Sequence, residues 1–190
     1  LAMLLALVMI LGLLPVSAFA ATPTLSEYFE GLPVDAETEP GAPSSTKKWK
    51  VTELNGEQVL VSGNKDKNSC SSTLQLTFTQ DAKLTFEYKV SSEKNYDKCN
   101  ITLNSASLVK DASGEVDWTG LEIDGKKDDV LTVVYTKDSS SSKGDDCVYL
   151  RNFAAGDPLV VTFHANNGTE DTLQQNIFGG KGTLKANTFT

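Results

Sequence analysis

The stretch "TLQLTFTQDAKLTFEYKV", Thr73 to Val90, decides the fold. Leu74, Leu76 and Phe78 alternate with polar residues, and Leu84, Phe86, Tyr88 and Val90 then do the same. Side chains alternate between two faces along a strand, so each run buries one face and wets the other. Thr79 to Ala82 lie between the runs as a turn, and the pair predicts a β-hairpin. Further strands are expected at "WKVTE", "EQVLVSG", "NITLN", "DWTGLEI", "VLTVVYTK" and "CVYLRNF". Gly, Asn, Asp and Ser clusters separate them, and no window has a helical period of adequate length. Many short strands joined by polar turns predict an all-β, antiparallel sandwich.

The two ends differ from this middle. "LAMLLALVMILGLLPVSAFA" is uncharged, with an apolar core over Leu1–Leu14. That core is shorter than the roughly 20 residues a membrane span needs. Ala18 and Ala20 stand where a signal peptidase reads small residues, so 1–20 is expected to be a cleaved secretory signal peptide. No other segment is apolar enough to enter a membrane. The basic n-region and initiator Met are missing, and the precursor is expected to extend beyond Leu1. Residues 21–48 read as a partly irregular lead-in, with "VDAETEPGAPSSTKK" of loop composition. The sandwich is expected over 49–155, with its first elements from about residue 25. Gly156, Asp157 and Pro158 mark a joint. Residues 156–190 then form a tail with the strand "LVVTFHA" and two more candidates around Gly179, Gly180 and Gly182.

Composition excludes several functions. Lys+Arg number 17 against 25 Asp+Glu, giving a net charge of −8. That field repels phosphates, so nucleic acid is not an expected partner. The one histidine, His164, has no triad partners and sits in the tail strand. Cys70, Cys99 and Cys147 match no zinc spacing. They read as partly buried thiols, with a Cys99–Cys147 bridge open to an exported chain. Glu87, Glu93, Glu115, Asp117 and Glu122 would serve a glycosidase only if two of them faced one cleft. "NKDKNS" begins like an EF-hand loop but has Ser69 for the required Gly and Gln75 for the final Glu. "KDSSSSKGDD" brings Asp138, Asp145 and Asp146 to one loop, which reads either as a calcium site completed by another loop or as a solvated connection. Sequons stand at Asn100 and Asn167.

The ordered segments "FEG" (Phe29–Gly31), Trp49, "SGNKDKNSCSSTLQLTF", "LTFEYKVSSEKNYDK", "SGEVDWTGLEI", "VLTVVYTKDSSSSKGDD" and "YLRNF" resemble bacterial jelly-roll surface domains of the cleaved-adhesin and MAM-like type. The resemblance covers about residues 25–153. It implies a jelly-roll β-sandwich with a binding or spacer role on a Gram-positive cell surface. It also implies structural calcium held by the Glu after the early Phe, here Glu30, and by a carboxylate in the final strand. This sequence has Arg151 at that last position, so Arg151 is expected to pair with a carboxylate such as Glu30. The calcium candidates are therefore Glu30, Asp138, Asp145 and Asp146. The tail "VTFHANNGTEDTLQQNIFGGKGTLKANTFT" resembles the start of a Listeria–Bacteroides repeat, the β-grasp-like internalin B type, which continues past this point in its family. Alone it cannot bury a core.

These readings converge on an exported, non-catalytic cell-surface fragment whose jelly roll binds an extracellular glycan or a host or cell-surface protein. Exposed aromatics would stack on sugar rings, with Tyr96 and Trp118 as candidates and core packing as the alternative for each. The runner-up is an accessory region of a larger surface glycosidase or peptidase.

Overall fold

The computed structural model describes residues 21–42, 44–166, 168–180, 184–186 and 188–189. The expected signal peptide and the Asn167 sequon lie outside the described residues. The strands are β1 (Val34–Thr38), β2 (Lys50–Leu54), β3 (Glu57–Val61), β4 (Cys70–Phe78), β5 (Ala82–Ser91), β6 (Lys98–Leu103), β7 (Ala106–Ala112), β8 (Glu115–Gly125), β9 (Val130–Lys137), β10 (Cys147–Ala155), β11 (Leu159–His164) and β12 (Thr172–Ile177). The first ten form an antiparallel jelly-roll sandwich of two five-stranded sheets, ordered β1-β4-β9-β6-β7 and β2-β3-β10-β5-β8. The all-β expectation holds.

The hairpin expectation does not. Leu74, Leu76, Phe78, Leu84, Phe86 and Val90 are all fully buried, as their alternation requires. Yet β4 pairs with β1 and β9, while β5 pairs with β10 and β8. The short turn between them crosses from one sheet to the other. In one sheet the two apolar faces would point the same way and need a third layer. On opposite sheets each covers the other.

Two elements escaped the sequence reading. β1 lies in a stretch of loop composition, because "VDAET" is acidic and weakly apolar. Its pairing with β4 and the burial of Val34 make it an edge strand. The other is a single helical turn, α1 (Leu25–Tyr28), closed by a capping box. The Thr24 N–H donates to Glu27 Oε2 at 2.7 Å, and the Glu27 N–H donates to Thr24 Oγ1 at 3.3 Å. The signal was present in "TLSE", which has the spacing of that box. The turn delivers Tyr28 and Phe29 to an aromatic cluster at one end of the sandwich. Phe153 lies edge-on to Phe29 at 4.9 Å and stacks on Phe86 at 4.8 Å.

After Gly156 the chain makes the hairpin β11–β12 and then returns to the sandwich. The Phe178 ring, 9% exposed, rests over Gly120 of β8. A Cβ on Gly120 would fall 2.1 Å from Phe178 Cζ, so only glycine admits the ring there. Gly179 follows at φ +60, against the backbone of Asn152. Lys83 Nζ donates to Asp157 Oδ1 at 2.5 Å beside the joint. The tail therefore packs on the second sheet through Phe178, while Leu159 and Val160 of β11 stay exposed. Among the described residues no helix is long and apolar enough to cross a membrane.

Candidate functional site

Strand alternation sends one set of side chains from β2-β3-β10-β5-β8 away from the core. These include Val59 and Val61 of β3, Cys147, Tyr149 and Arg151 of β10, Glu87 and Lys89 of β5, and Trp118 of β8. Val59, Val61, Cys147 and Tyr149 form a small apolar cluster separate from the main core, and Leu54 and Trp118 pack against it. Trp118 belongs to the edge strand β8, so its indole must extend over β5 to reach β10 and β3. It lies half-buried on the outer face of the sheet. The Arg151 guanidinium carbon stands 4.0 Å from the indole centroid. Such a stack fixes the ring, because the cation is attracted to its negative face.

Arg151 is the centre of the polar contacts. Its Nε donates to Glu87 Oε2 at 3.0 Å and its Nη1 to Glu57 Oε2 at 2.6 Å. Asn152 Nδ2 donates to the same Glu87 oxygen at 2.7 Å. The expected pairing with Glu30 is thus corrected: the partners are Glu57 and Glu87, which lie on strands flanking β10. Glu30 is exposed at the aromatic end of the sandwich. Lys89 reaches Asp117 at 3.6 Å. The Trp118 backbone N–H, aided by Lys89, holds the Asp117 carboxyl below the usual range. Of the carboxylates considered for glycosidase chemistry, Glu87 and Asp117 are held by cations, and Glu115 accepts from Ser91 Oγ at 2.8 Å.

Two depressions bound this face. One, of about 620 Å³, lies by the aromatic cluster and is lined by Glu27, Tyr28, Glu57, Asn152 and Gly179 among others. Burial pushes the Tyr28 phenol up to about 12. The other, of about 450 Å³, shares Val61 and Tyr149 with the apolar cluster and is ringed by Lys48, Lys50, Lys65 and Lys67. Glu53 and Asp66 are its only acids. Lys67 is anchored on the carbonyls of Thr46 and Gly63 at 2.6 and 3.1 Å. Among the described residues Lys48, Lys50 and Lys65 form no ion pair. A chain of net charge −8 has therefore concentrated free ammonium groups beside an aromatic strip.

The serine loop lies at the end of β10 away from Phe153. The Lys137 ammonium, wholly buried, contacts Asp146 Oδ2, and Asp146 is 2% exposed. Tyr135 OH donates to Asp146 Oδ1 at 3.5 Å, and the Asp66 N–H donates to Oδ2 at 2.9 Å. Asp138 accepts from the Ser140 N–H at 2.8 Å and closes a local turn. Asp145 accepts from Tyr149 OH at 3.3 Å. The structure does not bring the four calcium candidates together. Asp146 already faces a fixed cation, and Glu30 lies near Phe153, seven residues and so roughly 20 Å along β10. Among the described residues no three His, Cys, Asp or Glu side chains gather where they could hold a metal ion. In "NKDKNS", Asn64 is fully buried and turns inward, its Nδ2 donating to the Tyr135 carbonyl at 3.0 Å.

Tyr96 is 59% exposed on the β5–β6 loop, apart from the cluster on which Trp118 packs. The three cysteines are free. Cys99 packs in the inter-sheet core and Cys147 on the outer face of the second sheet, so the sheet itself separates the pair considered for a bridge. Burial raises the Cys147 thiol to about 11 and the Cys99 thiol to about 12, which keeps both protonated. Sequence reasoning missed Arg151 as the residue that stacks on Trp118, and it missed the lysine groove. The groove joins residues 46–54 to 61–67 and to Tyr149, a proximity that only the β2-β3-β10 order creates.

No known protein family matches the chain, and no curated protein matches it. Solved structures do. The secreted serine protease VesC from Vibrio cholerae aligns at 18% identity and a TM-score of 0.50 over 69% of this chain. This chain spans about a quarter of VesC, 26% of its length. TmCBM61, solved with β-1,4-galactotriose, aligns at 16% identity and a TM-score of 0.39, over 72% of this chain and 99% of that one. CBM35 from Paenibacillus barcinonensis aligns at 6% identity and 0.30, over 62% and 98%. At these identities the likeness to VesC concerns the β-sandwich fold alone.

Proposed function

We propose that this chain is a non-catalytic glycan-binding module of an exported surface protein, and that the glycan lies along the outer face of β2-β3-β10-β5-β8. The observation that carries this reading is Trp118. An indole fixed on a sheet face by a stacked cation and an apolar cluster is a preorganised platform for the C–H face of a sugar ring. Tyr149, buried beneath it, supports the platform, and Glu57, Glu87 and Asn152 supply fixed acceptors and donors for hydroxyl groups. The unpaired Lys48, Lys50 and Lys65 at the Tyr149 end favour acidic sugars, because lysines outnumber acids in that lining and an anion there would meet net positive charge. Export rests on the apolar leader, and the family resemblance supports display on a bacterial surface.

The test is an array of neutral, uronic-acid and sulfated oligosaccharides probed with the chain lacking its leader. Acidic glycans should be retained, and retention should weaken as salt screens the lysines. Retention of no glycan would remove the binding reading. Equal retention of neutral and acidic glycans would remove the role given to the lysines.

A further inference from the structure

The serine loop closes on an arrangement that the glycan site does not use. Lys137 ends β9 in one sheet, and Asp146 immediately precedes β10 in the other. Their side chains meet with 0% and 2% exposure, in direct contact between Nζ and Oδ2. Beside them Asp97 is fully buried. Its Oδ1 accepts from the N–H of Asp138 at 3.0 Å, and its Oδ2 has no partner. Asp97 interacts electrostatically with both Lys137 and Asp146, and burial holds its carboxyl above the usual range. Tyr135, fully buried, reaches Asp146 with its hydroxyl.

Charges out of water are costly even when paired. In a dry site the cost falls when the ammonium proton passes to the carboxylate, leaving an amine against a carboxylic acid. An amine held on a carboxylic acid with water excluded is set for condensation, since fixed contact replaces the encounter step. We infer that Lys137 and Asp146 form an intramolecular isopeptide bond, with Asp97 carrying the proton. One proton passes from Nζ to Asp146 within the contact, the freed Nζ lone pair attacks Cγ, and the Nζ–Cγ bond forms. The Asp97 carboxyl gives its proton to the departing hydroxyl and takes one from Nζ. The Cγ–O bond breaks, one water leaves, and Asp97 returns to its starting state. No oxidant, reductant or further reactant is required. The product is a neutral amide that ties the two sheets together at this end.

Mass spectrometry of the folded chain tests this. The expected mass is that of the chain less one water. A tryptic digest should contain residues 128–143 and 144–151 as one linked species, because acylated Lys137 resists cleavage and the amide spans the cut after Lys143. The linked species separates this reaction from water loss at an Asp-Gly step such as Asp124–Gly125, which leaves Lys137 open to trypsin and 144–151 unlinked. Asp97→Asn keeps the acceptor for the Asp138 N–H, and folding is followed by near-ultraviolet circular dichroism. A folded Asp97→Asn chain should carry its full mass. If the native chain carries its full mass and trypsin cuts after Lys137, releasing 128–137 and 144–151 as separate peptides, the bond is absent and the inference is overturned. If Asp97→Asn is linked as fully as the native chain, the role given to Asp97 is overturned.

Discussion

Substituting Gly120 by Ala should free the C-terminal hairpin while leaving the sandwich intact. The added Cβ would lie 2.1 and 2.2 Å from Cζ and Cε2 of Phe178, inside any real contact distance. The ring must leave its seat, because β8 is fixed by its pairing with β5. Burying a Phe side chain is worth about 1.5–3 kcal/mol. A loss of about 2 kcal/mol raises the population of the undocked tail roughly 30-fold, since each 1.4 kcal/mol is a factor of ten. β11 and β12 pair only with each other, so the cost falls on local opening and not on global unfolding. Hydrogen exchange of β12 amides and chymotryptic cleavage within 159–178 should both accelerate by about that factor. The thermal midpoint of the sandwich should not move. Phe178→Ala should act in the same direction, and the double variant should be no worse than Phe178→Ala alone, because both remove one contact. Unchanged exchange in β12 after Gly120→Ala would refute the docking. So would a fall in the sandwich midpoint that accompanies it.

Arg151→Ala should cost about 1–2 kcal/mol in urea unfolding, combining the lost indole stack with a half-buried Glu87 left one donor short. Glu30→Ala should cost nothing measurable, and equal effects from the two would contradict the pairing with Glu57 and Glu87. Lys137→Met leaves Asp146 buried without its partner and removes any covalent tie between the sheets, so it should cost at least about 3–5 kcal/mol by the same assay. A loss below 1 kcal/mol on that scale would mean the site is wetter than its burial indicates. Asp97 holds its proton in the folded chain above the pH at which the unfolded chain releases it. Its contribution to stability is therefore full below the usual carboxylate range and is lost as pH rises through the folded value. Asp97→Asn should flatten that acid-side slope in a pH series of midpoints, and an unaltered slope would count against Asp97 as its source.

The local pattern and the pairing of strands were not equally legible. Leu74, Leu76 and Phe78 announced a buried strand face because alternation is a property of neighbouring residues. Which sheet that strand joined was not written in the same residues, since the turn after Phe78 serves a hairpin or a crossing equally well. β1 stayed hidden because an edge strand buries little, here Val34, and its sequence needs little apolar content. Trp118 was legible as a binding candidate from its type. Its support was not, because Arg151 lies 33 positions away and meets it only through the β10-β5-β8 order. The calcium candidates are dispersed for a related reason. Three aspartates share one loop in the sequence, but in the fold each turns to a different partner, and Asp146 turns to Lys137.

The binding face is tested most directly by the two indole N–H resonances of the chain in a nitrogen–proton correlation spectrum. Trp49 is 2% exposed in the core and serves as the internal control. During titration with a uronic-acid oligosaccharide, the Trp118 resonance should shift and saturate while that of Trp49 stays in place, and Trp118→Ala should abolish binding. An oligosaccharide that binds while the Trp118 resonance remains fixed would place the ligand elsewhere and contradict the assignment of this sheet face.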